Sequence, residues 1–123
     1  HDTGVLHAPT AFGKTVVAIK IIAKRKTNTL ILTHNLQLLE QWQERLKSFL
    51  PDAEIGTIRG GRRKPTGQID IATYQSLINR KDHTIDLLIQ DYGQIIVDEC
   101  HHLSAPGFEM VLSEARAKYV LGL

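Results

Sequence analysis

The chain has 123 residues, enough for one compact domain with a single core, and its 42% hydrophobic content excludes a disordered segment. A formal net charge of +2 is too small to diagnose a nucleic-acid partner, and the single cysteine, Cys100, excludes an intrachain disulfide. No apolar run reaches the length of a membrane span and no signal peptide is visible, so no membrane partner is expected and the cytoplasm is the expected compartment.

In chain order, a short strand is expected at Val5 to His7, followed by Ala8-Pro9-Thr10-Ala11-Phe12-Gly13-Lys14-Thr15 and a helix from Thr15 to Lys26 that is apolar on most sides. Lys24, Arg25 and Lys26 suit the negative carboxyl end of that helix. Leu30-Ile31-Leu32 reads as a buried strand, and Asn35 as the N-cap of a helix through Phe49, with Leu36, Leu39, Leu46 and Leu50 as its inward stripe and Pro51 as its stop. Trp42 and Phe49 read as packing on that helix. Two short strands, Ile55 to Ile58 and Ile69 to Ala72, flank a Gly- and Arg-rich loop from Arg59 to Gln68. Short helices are expected at Gln75 to Asn79 and Ile85 to Tyr92, a strand at Ile95 to Val97, a helix at Phe108 to Ala117 and a last strand opening at Tyr119. Such alternation implies a mainly parallel sheet with right-handed crossovers and helices on both faces, a three-layer α/β/α domain.

Two segments carry chemistry. A Gly-Lys-Thr triplet between a strand and a helix is the context of a phosphate loop, whose backbone N–H groups and helix N-terminus form an anion site. Gly13 keeps the backbone uncluttered, Lys14 reaches the β- and γ-phosphates, and the Thr15 hydroxyl can ligate Mg²⁺. The general pattern opens with glycine, and Ala8 departs from it. The second segment is Asp98-Glu99 after the apolar run Ile95-Ile96-Val97, at the strand end where ligands bind in parallel sheets. Alternation along a strand predicts that the two acids point different ways, Asp98 toward a metal and Glu99 toward an attacking water. Together the segments read as one nucleoside-triphosphate site.

The order APTAFGKT, LTHNLQLLEQW, IRGG, IATYQSL and IIVDECHHLSAPGFE resembles the first RecA-like motor domain of superfamily 2 helicases and translocases, in the DEAD/DEAH-type group that includes type III restriction subunits and excision-repair helicases. The resemblance covers nearly the whole chain. It implies a RecA-like phosphate-loop NTPase domain that hydrolyses ATP with Mg²⁺ to move along nucleic acid, DNA being the favoured track and RNA the alternative. Residues 8–15 match the nucleotide loop, Lys14 and Thr15 the phosphate and metal residues, and Asp98 and Glu99 the metal-binding acid and catalytic base. His101 matches a histidine that couples the hydrolytic site to neighbouring motifs. Thr73 and Gln75 match a motif whose threonine contacts the nucleic-acid backbone, and Gly60 and Gly61 a tight turn at the same surface. His34 and Asn35 stand where many relatives carry Pro-Thr before a basic residue, so a phosphate contact from Leu36 is not expected and His34 and Asn35 are the nucleic-acid candidates there.

The family supplies its arginine finger from a second RecA-like domain, and nuclease or other effector domains accompany some members. The chain opens on His1 and stops at Val120-Leu121-Gly122-Leu123, before a coupling Thr-Ala-Thr or Ser-Ala-Thr motif of relatives; the expectation is a fragment that binds and hydrolyses nucleotide poorly alone. Arg59, Arg62, Arg63 and Lys64 fit either a phosphate-tracking loop or a solvated basic one. Cys100-His101-His102 fails as a zinc site on spacing, and nothing beside Cys100 activates it as a nucleophile. Two other classes share the triplet: a phosphotransferase acting on an acceptor, and a non-catalytic nucleotide switch or scaffold.

Overall fold

The computed structural model describes residues 2–5, 11–79, 84–99 and 105–123. In chain order these form β1 (Asp2–Val5), α1 (Ala11–Arg25), β2 (Thr29–Thr33), α2 (Leu36–Phe49), β3 (Ile55–Arg59), β4 (Arg62–Lys64), β5 (Ile69–Thr73), α3 (Tyr74–Leu77), β6 (Ile78–Asn79), β7 (Thr84–Ile85), a 3-10 turn (Leu87–Asp91), β8 (Gln94–Val97), α4 (Ala105–Glu114) and β9 (Tyr119–Gly122). Seven of the described strands join one sheet in the order β1-β9-β8-β2-β5-β3-β4. Every pairing in it is parallel except β3 with β4.

Continuous apolar runs make the central strands, because a parallel strand covered on both faces needs no polar alternation. Successive side chains of β2 show the consequence. Leu30 and Leu32 join Ile95, Val97, Val120, Ile89, Tyr92 and Val111 on one face, while Ile31 joins Ile71 and Ile96 on the other, under Ala18, Ile19 and Ile22 of α1 and Leu39, Trp42 and Leu46 of α2. Ile95, Ile96 and Val97 are all fully buried, each worth about 1.5–3 kcal/mol relative to exposure. The strand that ends at the candidate acids is therefore among the most firmly held. Three layers result, as the sequence implies.

Local chemistry explains the element ends. Asn35 caps α2, its Oδ1 accepting from the Leu38 amide at 2.9 Å. Helix α1 starts at Ala11 rather than Thr15 and ends with Lys26 in a left-handed conformation, φ 50°, its N–H donating to the Ile22 carbonyl. Arg25 does more than answer the helix dipole: it donates to Gln94 Oε1 at 3.0 Å and stacks 3.9 Å over the Tyr119 ring, tying α1 to β8 and β9. The inward stripe of α2 needs correcting. Leu39 and Leu46 are buried and Leu50 packs partly buried against the same cluster, but Leu36 is half exposed; of the two residues read as packing on this helix, Trp42 is buried and Phe49 is about half exposed.

Arg62–Lys64 forms an edge strand where a loop was expected. Gly60 has φ 55° and Gly61 does not share it, the pattern of a two-residue turn that needs glycine at its first central position. Arg59 then faces Arg62 in the antiparallel register, and exposed cations along the edge discourage pairing with another sheet. Behind the hairpin, Asp70 is fully buried and accepts from the Thr66 amide and hydroxyl, the Gly67 amide and the Tyr92 hydroxyl. Gly56 makes room for it: a Cβ there would collide with Asp70 Oδ1 and lie 2.5 Å from the Lys64 carbonyl. Of the two expected short helices, the first is the single turn α3 and the second a 3-10 turn capped by Asp86, whose side chain accepts from the Leu88 amide; their facing ends pair as the antiparallel β6 and β7, Ile78 opposite Ile85.

Candidate nucleotide site and nucleic-acid groove

The carboxyl ends of the parallel strands gather the predicted residues along one edge of the sheet. Ala11, Phe12, Gly13, Lys14 and Thr15 lie in the opening turns of α1, not in a loop before it. The amides of a first helical turn point away from the helix body, so the helix itself presents the anion-binding dipole. Ala8, Pro9 and Thr10, with Cys100, His101 and His102, lie outside the described residues.

Lys14, Thr15, Asp98 and Glu99 line one cleft. Strand β8 stops at Val97 and Glu99 takes φ 53°, so strand alternation does not extend through the pair; Asp98 and Glu99 both border the cleft. A non-glycine residue in this region stores strain, which is found where function requires a particular direction. Burial pushes the Asp98 carboxyl above its ordinary value; a hydrogen bond from Trp42 works against that, the neighbouring Glu99 charge adds to it, and Lys14 opposes it.

Helix α2 supplies two residues that the sequence did not assign to the site. Trp42 Nε1 donates to Asp98 Oδ2 at 2.7 Å, and Arg45 Nη1 donates to Thr15 Oγ1 at 3.0 Å. Their spacing of three places both on one helix face. The Trp-x-x-Arg spacing was visible, but nothing in it names the partners. The described walls enclose about 20 Å³, the room of about one water or one cation. A hydroxyl and two carboxylates around such a space form a hard, all-oxygen donor set, which suits Mg²⁺. Among the described residues no group of three or more His, Cys, Asp or Glu could hold an ion unaided, so a metal here would draw its remaining oxygens from phosphate or water, as Mg²⁺ commonly does.

On the far side of the N-terminus of α2 opens a groove of about 530 Å³. Five of the six residues expected at a nucleic-acid surface, His34, Asn35, Gly60, Thr73 and Gln75, line it together; Gly61 sits in the adjoining turn, off the wall. Ser76, which the sequence did not single out, is the hub of its polar network. Its hydroxyl accepts from the Gly60 amide at 2.6 Å and bonds to the Thr73 hydroxyl, while Gln75 Nε2 donates to the His34 carbonyl at 3.1 Å. Arg59 on the wall pairs with Glu40 of α2 at 3.2 Å, and Arg63 on the hairpin pairs with Asp86 at 2.7 Å. No helix among the described residues is long and apolar enough to cross a membrane.

Comparison with known proteins agrees with this geometry. The family model described as type III restriction enzyme, res subunit, matches residues 1–123. A DNA 3'-5' translocase XPB2 of Sulfurisphaera tokodaii is 36% identical over 120 residues, 98% of this chain and 26% of that protein. A DNA 3'-5' helicase XPB of Mycobacterium tuberculosis is 36% identical over 127 residues, 98% of this chain and 23% of its own length. The chain thus spans about a quarter of the length of the curated relatives it matches. The solved Sulfolobus solfataricus SWI2/SNF2 ATPase core in complex with dsDNA superposes with a TM-score of 0.75 at 21% identity, covering 98% of this chain and 26% of that one, which shows the RecA-like fold. By the match along its whole length and by the identity of these relatives, the chain belongs to the family of type III restriction enzyme res subunits.

Proposed function

We propose that the chain is the ATP-binding motor domain of a helicase or translocase that uses ATP hydrolysis to move along DNA. The observation that carries this reading is the meeting of Lys14 and Thr15 with Asp98 and Glu99 in one cleft, at the same sheet edge as the groove of His34, Gly60, Thr73 and Gln75. In this reading the first turn of α1 and Lys14 hold the triphosphate by dipole and charge. Thr15 and Asp98 would hold Mg²⁺, which when bound neutralises phosphate charge. Glu99, which borders the cleft, orients the attacking water and takes up its proton.

Beside the apolar Leu36, the groove carries the Thr73 and Ser76 hydroxyls, the Asn35 and Gln75 amides and the Arg59 guanidinium, groups that suit phosphate and sugar contacts. That is what a motor needs on arbitrary sequence. DNA is preferred to RNA as the track because the two relatives described above carry DNA in their names. A second RecA-like domain, contributing an arginine to the phosphates, and further effector domains belong to the same reading, as does a cytoplasmic setting. The experiment is phosphate release measured with and without single-stranded DNA. Release of free phosphate that rises and saturates with DNA supports the motor. Transfer of phosphate to a small acceptor would point to a phosphotransferase, and DNA-indifferent binding without turnover to a nucleotide switch.

A further inference from the structure

We propose that Trp42 is a positioning residue of the nucleotide site, fixing the Asp98 carboxylate for the metal from across the helix layer. The inference rests on the assignment of Asp98 to Mg²⁺. Trp42 is 2% exposed and belongs to the apolar cluster beneath α1 and α2, where any large apolar side chain would serve packing. A tryptophan adds a single polar atom, an indole N–H that can only donate, and here it ends 2.7 Å from Asp98 Oδ2.

Asp98 needs such a partner. It follows the last residue of β8, next to a second carboxylate and a left-handed backbone turn, so the sheet does not dictate which way its side chain points. The strand does hold its backbone, through the Asp98 amide donating to the Leu32 carbonyl at 2.9 Å. One more fixed point on the carboxylate itself selects its direction. Arg45, one turn further along α2, bonds to Thr15, so the same helix face is tied to both residues assigned to the metal. Hydrogen bonds of this kind to metal-binding side chains raise metal affinity by about 10- to 100-fold, because the donor set is already aimed when the ion arrives.

The test is Trp42→Phe in the complete protein, which keeps a ring in the apolar cluster and removes the donor. Binding of a fluorescent, non-hydrolysable ATP analogue is titrated with Mg²⁺ and repeated in EDTA, with Asp98→Asn alongside. The expected result is a Mg²⁺ requirement raised by about 10- to 100-fold in Trp42→Phe, with affinity in EDTA unchanged; a role confined to packing would leave the Mg²⁺ requirement at its wild-type value, and that result overturns the proposal. If Asp98→Asn also leaves the requirement unchanged, the assignment of Asp98 to the metal fails; if it abolishes the Mg²⁺ effect while Trp42→Phe is silent, only the positioning role fails. A second readout is the Trp42 emission in the complete protein, taken as the difference between wild type and Trp42→Phe. This difference should change with Mg²⁺ in the presence of the analogue and saturate at the same concentration as binding; a difference that does not respond to the metal contradicts the proposal.

Discussion

The candidate nucleotide cleft and the candidate nucleic-acid groove share one edge of the sheet and are built on opposite terms. The cleft is narrow, about 20 Å³, with a half-buried carboxyl pair and a strained Glu99; the groove is open, about 530 Å³, and its hydroxyls and amides bond mostly to one another. Phosphoryl chemistry needs enclosure and fixed charges, because electrostatic stabilisation weakens in water. A track that must slide needs the reverse: modest, replaceable hydrogen bonds and cations held near the surface by exchangeable partners such as Glu40 and Asp86. Helix α2 touches both, through Trp42 and Arg45 on one side and Asn35 and Glu40 on the other.

The sharpest way to break the contrast is to strip charge from the cleft. Lys14→Ala should lower nucleotide affinity by about 2–5 kcal/mol, read by equilibrium titration with a fluorescent analogue, while DNA affinity measured without nucleotide stays put. A comparable loss in both would mean that the two sites are not separable. Asp70→Ala probes what supports the groove side of the sheet. Leaving the Thr66 and Gly67 amides and the Tyr92 hydroxyl without their acceptor should cost about 3–5 kcal/mol in a urea unfolding curve. Gln75→Ala should act far more gently, weakening DNA binding by about 0.5–1.5 kcal/mol and sparing DNA-free ATP hydrolysis.

The smallest effect concerns Asp86. The Leu88 amide, more than Arg63, holds its carboxyl below the ordinary value of 3.8. A lowered folded value means that its contribution to stability is complete above 3.8 and fades as the pH falls through the folded value. Asp86→Asn keeps an N-cap acceptor but not the charge, so the stability difference from wild type should be a fraction of a kcal/mol near neutrality and vanish in acid. A difference that grows toward low pH would have the wrong sign.

What the sequence made legible was whatever local chemistry decides. Ile95-Ile96-Val97 could be little but a buried strand, Asn35 little but an N-cap, and the Gly-Lys-Thr triplet placed Lys14 and Thr15 correctly even though α1 begins before them. What escaped depends on partners distant in the chain. Nothing in Arg62-Arg63-Lys64 favours a strand until Gly60 turns it back onto β3. Leu36 matches the apolar spacing of α2 yet is half exposed at its first turn, whereas Trp42, read only as packing, meets both the core and Asp98. The left-handed turn at Glu99, just past the end of β8, is a backbone angle that no strand pattern encodes.

Glu99→Gln addresses the account most directly, in an assay of DNA-stimulated phosphate release run beside analogue and DNA binding. Loss of a general base predicts a fall in turnover of about 10²- to 10⁴-fold with both binding affinities retained. Turnover that survives the substitution at the wild-type rate would contradict the hydrolytic site described here.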